Sequence, residues 1–236
     1  MKCVVLFGGE GRRVNKQDVS NKCLIPVNNK PICFYVVENL LKSFKPEDLI
    51  LVTNGFLLED LNSILRKHFN YDFNIIPQYF SEGVSHAIFL CEKALNKESF
   101  FVCLGDFYSK EIHGLIDNQD YPFLTLNKVS NPEKYGVYDF IKNIVVEKPK
   151  THISDYAVRG FYRFDHSFFS KFKNTKKSSR NEFEIVDIIN QYKNILTKEI
   201  NDVIDLGSNE GIHQLESLIA NILPPAKCFF GQSSRS

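Results

Sequence analysis

A chain of 236 residues that is 43% hydrophobic and 24% charged can bury a sizeable core, which excludes wholesale disorder. Its 29 basic and 28 acidic residues leave a net charge of +1, so no whole-chain field draws nucleic acid or an anionic membrane, and an anionic ligand has to be met by a few placed groups. No apolar stretch approaches the roughly 20 residues of a bilayer span, and the N-terminal apolar run is too short for a secretory leader.

In chain order, "KCVVLF" reads as a short buried strand that runs into the glycines of "LFGGEGRR". Pro31 then opens a helix over "PICFYVVENLLKSF", where proline suits the first turn. "DLILVT" is a second strand, "FLLEDLNSILRKHF" an amphipathic helix, "FNIIPQ" a strand, "GVSHAIFLCEKAL" a single helix and "SFFVCLGD" another strand. This alternation of β and α marks a doubly wound half with parallel βαβ units. From about Tyr121 the pieces shorten to "FLTLNKV", "NIVVEKP" and "YAVRGFYRF", with helices expected over residues 182–192 and 209–220. They predict a mixed sheet continuing the same domain, residues 1–223, with 224–236 as a short C-terminal tail. The six cysteines, Cys3, Cys23, Cys33, Cys91, Cys103 and Cys228, contain no CxxC pair; they read as buried hydrophobes in a reducing cytoplasm.

The opening loop carries the chemistry. A strand followed by glycines lets backbone amides approach a phosphate, although such loops also serve as plain turns. A dinucleotide fingerprint would open a helix with G-x-G-x-x-G, and a Walker loop would end in G-K-[ST]; "GEGRRV" does neither. What remains is amides plus two guanidinium forks, Arg12 and Arg13, shaped for the oxygens of a polyphosphate. Lys22 follows in "NKCLIPVNNKP" as a second phosphate clamp or an ordinary surface lysine.

Taken together, "GGEGRR" and "NKCLIPVNNKP" resemble the G-G-x-G-x-R and P-K-x-L-x-P-V-x-x-K-P signature of the sugar-1-phosphate nucleotidyltransferases. "PQYFSEGVSHA", "CLGDFY", "NPEKYGVYDF", "VVEKP", "VRGFYRFD", "SSRNEFEIVDIINQY" and "VIDLGSNEGIHQL" follow in the family's order, and the likeness is greatest to the glucose-1-phosphate thymidylyltransferase branch. Departures are Phe107 for asparagine, Asn15 and Lys16 in the proline region, Leu206 and Ser208 for threonines, His86 for glutamine and the absence of tryptophan. The resemblance implies an α/β fold with a Rossmann-like mixed, mostly parallel sheet flanked by helices, of glycosyltransferase-A type. It implies a magnesium-dependent enzyme that joins a nucleoside triphosphate, dTTP or UTP favoured, to a sugar 1-phosphate, glucose 1-phosphate favoured, and releases pyrophosphate. Partners are these two substrates, with no nucleic acid or membrane, and a homo-oligomer is compatible with the family's habits.

Nucleotidyl transfer asks for in-line positioning and charge neutralisation, not a protein nucleophile. By resemblance Asp106 and Asp205 would hold Mg2+, an ion that takes one or two carboxylates; as isolated residues each reads equally as a turn or cap. Arg13 would grip the β- and γ-phosphates, assisted by Lys22, while Gly8, Gly9 and Gly11 let the backbone close around the nucleotide beside Arg12. Gln78 and Gly83 would face the base. Lys148, with Arg180 as a second cation, would meet the sugar phosphate, Glu147 and the Gly136 backbone the sugar, and Tyr162 the wall of the site. Glu147 and Lys148 also read as a solvated pair, and Tyr162 as core. Glu182, Glu184 and Asp187 read as dipole-favoured acids at a helix start and stay outside the site. Two other readings stand beside this one: a CTP or GTP enzyme acting on phosphocholine or another sugar phosphate, and a non-catalytic nucleotide-sugar-binding regulator.

Overall fold

The computed structural model describes residues 1–8, 21–116 and 121–222. The first strand, β1 (Lys2–Phe7), is buried on both faces: Cys3, Val5 and Phe7 join one core cluster while Val4 joins the other. Such two-sided burial produces the continuous apolar run read from the sequence. After a two-stranded ribbon of β2 (Pro26–Val27) and β3 (Lys30–Pro31), helix α1 spans Ile32–Leu40. It ends short of Phe44 because the amides of Lys42 and Ser43 turn to i−3 carbonyls. Strand β4 (Leu49–Asn54), helix α2 (Leu58–Phe69) and β5 (Asn74–Gln78) follow as expected.

The expected single helix after Gly83 is instead two, α3 (Val84–Phe89) and α4 (Glu92–Leu95). Hydrogen bonding tightens where the amide of Cys91 bonds the carbonyl of Ile88, and the apolar residues Ala87, Ile88, Cys91 and Leu95 still reach the core. Next come β6 (Phe100–Leu104), β7 (Phe107–Tyr108), α5 (Ile112–Leu115), β8 (Phe123–Lys128), β9 (Gly136–Asp139), β10 (Ile144–Glu147) and the long β11 (Tyr156–Phe164). Helix α6 (Ser167–Lys173) was not anticipated; it buries Phe168, Phe169 and Phe172. Helix α7 covers only Ile185–Ile189 of the expected 182–192, because the Phe183 amide bonds the Glu82 carbonyl and the Ser178 amide bonds that of Glu182, which holds the preceding residues in a turn. Strands β12 (Leu196–Glu199) and β13 (Ile204–Asp205) and helix α8 (Asn209–Ile222) complete the described chain.

One nine-stranded sheet runs through both halves. β5, β4, β1 and β6 lie side by side in parallel, and β11 joins β6 antiparallel, so the sheet is mixed from that point. β9 and β10 extend one edge, while β8 pairs with β11 and β12. Cys3, Cys23, Cys33, Cys91 and Cys103 are free and buried, as expected; Cys228 and the tail lie outside the described residues. Among the described residues no helix is long and apolar enough to cross a membrane.

Candidate active site

The carboxyl ends of β1, β5 and β6 deliver Gly8, Gln78 and Asp106 to one edge of the sheet, where open α/β proteins receive ligands. Asp106 follows Gly105, whose amide bonds the carbonyl of Leu6 at 2.8 Å, so the turn after β6 is pinned against β1. The partner aspartate comes from much later in the chain. β13 pairs antiparallel with β7, placing Asp205 opposite Phe107, and the Leu206 amide donates to the Asp106 carbonyl at 2.7 Å. Two acids 99 positions apart in sequence thus lie on adjoining backbone.

Their side chains converge with that of Lys22. A Cβ placed on Gly207 would lie 3.0 Å from Asp205 Oδ1, 3.3 Å from Lys22 Nζ and 3.4 Å from Asp106 Oδ2. Lys22 forms an ion pair with Asp106, both side chains about one-fifth exposed (21% and 22%). Asp205 Oδ1 also accepts from the Gly207 amide at 2.9 Å, which orients it. Gly207 thus borders the space on which the three charges close, and a side chain there would press on all three.

Two cavities meet here. The larger, of about 530 Å³, is lined by Lys22, Asp106, Gly136, Glu147, Lys148, Tyr162 and Asp205, seven of the residues singled out from the sequence. The smaller, of about 220 Å³, is lined by Gly8, Gln78 and Gly83 with the apolar side chains of Leu6, Val52, Val84, Ala87 and Leu104. Ser81, Asp106 and Glu182 belong to both. Gly83 ends the turn into α3 at φ +93°, where an added Cβ would sit 2.8 Å from the carbonyl oxygen of Phe183. In the larger cavity Gly136 and Glu147 are register partners across β9 and β10, and Lys148, just beyond, holds a left-handed φ of +45° secured by its amide's bond to the Tyr135 carbonyl. Burial pushes the Tyr162 hydroxyl well above the usual tyrosine range, with Asp106 and Glu147 adding and Arg159 opposing, so it is a donor and not a base.

Gly9, Gly11, Arg12 and Arg13 lie outside the described residues. Arg180 lines neither cavity: its fork is taken by Glu184, Nε to Oε1 at 3.1 Å and Nη2 to Oε2 at 2.8 Å, with Glu147 Oε1 3.8 Å from Nη2. Glu182 does not sit at a helix start as expected; it precedes α7 by three residues and faces both cavities. Sequence reasoning also passed over Ser81, Lys134 and Tyr135 as lining residues. Phe107 packs on Gly160, and its ring and that of Tyr135 flank the guanidinium of Arg159, whose centre is 4.9 and 5.2 Å from their centroids. Among the described residues, Nε and Nη1 of Arg159 are buried without a hydrogen-bond partner. Among the described residues no group of three or more His, Cys, Asp or Glu is arranged to hold a metal; the convergent pair is two carboxylates.

A mixed, mostly parallel sheet with two acids and a lysine gathered at its carboxyl edge defines an α/β protein of the nucleotidyltransferase fold. The family model described as nucleotidyl transferase matches residues 2–220, and the chain belongs to that family. Glucose-1-phosphate thymidylyltransferase of Neisseria meningitidis is 27% identical over 252 residues, 94% of this chain and 83% of that protein. The low-salt glycan biosynthesis nucleotidyltransferase of Haloferax volcanii is 31% identical, over 80% of this chain and 56% of that one. A Bacillus anthracis structure described as a glucose-1-phosphate thymidylyltransferase, in complex with sucrose, superposes with a TM-score of 0.79 at 28% identity, covering 94% of this chain and 96% of the other. A UDP-glucose pyrophosphorylase solved with UDP-glucose gives 0.77 at 25% identity, over 94% and 99%.

Proposed function

We propose that this nucleotidyltransferase joins the nucleotidyl group of dTTP or UTP to a sugar 1-phosphate, glucose 1-phosphate being favoured, and releases pyrophosphate. The observation that carries the reading is the convergence of Lys22, Asp106 and Asp205 at the junction of an apolar cavity of base size and a charged one of sugar-phosphate size. The names of the relatives and solved neighbours support both substrate classes.

In this reading the base enters the smaller cavity against Gln78 and Gly83, and the triphosphate runs past Gly8 toward the glycine loop, with Arg12, Arg13 and Lys22 as its cations. The sugar phosphate occupies the larger cavity, its phosphate toward Lys148 and its hydroxyls toward Glu147, Tyr162 and the backbone at Gly136. A phosphate monoester is already anionic near neutral pH, so no base is needed to create the nucleophile. The chain's task is to align it with the α-phosphorus and to offset crowded negative charge. The donor set suits magnesium: two carboxylates face one point, and magnesium completes its octahedron with phosphate and water oxygens. Asp106 and Asp205 would hold that ion, which supplies charge neutralisation on the reacting phosphates.

The test is pyrophosphate release by the purified chain across dTTP and the four ribonucleoside triphosphates and a panel of sugar phosphates, with and without Mg2+. Release with dTTP or UTP that requires both the sugar phosphate and the metal is the expected result. Silence from every pair, with the protein folded, sinks the reading; turnover with CTP and phosphocholine moves it to a different substrate class.

A further inference from the structure

The base cavity contains a hydrogen-bond relay that the overall reaction does not explain. Gln78 Nε2 donates to the carbonyl of Gly83 at 3.2 Å and lies 3.1 Å from Nδ1 of His86, one helical turn into α3. The Gly83 carbonyl can only accept, so the amide nitrogen has to be the end that faces it, and both of its hydrogens are then used. The remaining atom, Gln78 Oε1, is left toward Gly8, 3.7 Å from where a Cβ on that glycine would sit, on the cavity wall. With the amide nitrogen turned to Gly83, its second hydrogen points at Nδ1, which accepts in the tautomer that carries its hydrogen on Nε2; that nitrogen lies 3.5 Å from Glu82 Oε2.

We propose that His86 is a positioning residue for base recognition: by accepting from Gln78 it holds the amide with its oxygen toward the cavity, so the site selects a nucleobase that presents an N–H there. The inference rests on the nucleotide reading above and deepens it. For uracil or thymine the donor is N3–H, flanked by two carbonyls. Protonating Nδ1 would turn it from acceptor to donor and set two donors face to face; the Gln78 amide then keeps only the Gly83 carbonyl, or turns its oxygen to the imidazole and gives that carbonyl up, and in either case its oxygen is held less firmly toward the base. The groups facing the imidazole are Glu82, Lys177, which pairs with Glu82, and the rings of Phe172 and Phe183. Burial lowers the His86 pKa below the ordinary 6.5, with Glu82 opposing and Lys177 adding, so the neutral, accepting form prevails at neutral pH.

The experiment compares kcat/KM for UTP and N3-methyl-UTP between acid and neutral pH in the full chain, its His86→Phe and His86→Gln variants, together with 15N spectra of the imidazole in nucleotide-free protein. In the wild type N3-methylation costs about ten- to a hundredfold at neutral pH, the penalty of an unpaired buried acceptor. That penalty shrinks as His86 becomes protonated. His86→Phe leaves the amide to the Gly83 carbonyl alone and shrinks the penalty at every pH, whereas His86→Gln, an acceptor that does not titrate, keeps it at every pH. The spectra show Nε2–H and a bare Nδ1. An Nδ1–H tautomer, or a methylation penalty untouched by His86→Phe, overturns the positioning role and leaves the nucleotide reading standing; failure of the folded protein to bind any nucleotide overturns both.

Discussion

The smaller cavity is walled by Leu6, Val52, Val84, Ala87 and Leu104 and has Gln78 and the glycine backbone as polar contacts of its own, whereas the larger adds Lys22, Lys134, Glu147, Lys148 and Asp205; Ser81, Asp106 and Glu182 line both. They differ in burial as well as in charge. Leu6 and Val52 lie on strands buried from both faces, while the Glu147 and Lys148 side chains are 38% and 46% exposed. A flat, weakly charged group is discriminated by shape and a few fixed hydrogen bonds, which demands rigid backing. A phosphate is held by several cations, each worth little alone in high-dielectric surroundings. Asp106 lines both cavities and is the carboxylate paired with Lys22.

The comparison predicts an order of effects. Asp106→Asn keeps the shape of both cavities but removes the shared charge, and steady-state kinetics should show kcat down about 10²–10³-fold, the scale of losing one preorganised charge-stabilising group. A loss under about tenfold would separate the junction from the chemistry. Gly83→Ala strikes the rigid side: φ +93° and the close Phe183 carbonyl cost about 1–3 kcal/mol. Thermal denaturation should register roughly 2–4 °C per kcal/mol in a chain of this size, with weakened nucleotide binding. An unchanged melting temperature would mean that the turn yields easily. Lys148→Met strikes the exposed side and has the smallest effect, a rise of about three- to tenfold in KM for the sugar phosphate that fades as salt is added. An effect as large as that of Asp106→Asn would show that one cation dominates the larger cavity.

The first half of the fold was legible because parallel strands buried on both faces leave uninterrupted apolar runs, and Asp106 stands directly beyond one of them. The break at Leu90 and Cys91 was not, since the apolar spacing there persists through a change in hydrogen bonding. In the second half, β13 is two residues long and its partner β7 lies 96 positions earlier, a pairing no local pattern encodes; Asp205 was found through resemblance instead. Glu182 was misread because acids before an apolar run favour a helix start, whereas here the Phe183 amide is drawn to Glu82. Its place in "SSRNEFEIVD", a stretch that follows the family's order, was the available signal. The relay through His86 could not be read at all, because it depends on which end of an amide faces a carbonyl.

The account stands on Asp106 and Asp205 serving a single centre, and a double-mutant cycle on kcat tests this most directly. If they act as a unit, Asp106→Asn combined with Asp205→Asn should be about as slow as the slower single variant, since the second loss removes nothing further. Losses that multiply across the pair would assign the two carboxylates to independent tasks and contradict the shared site.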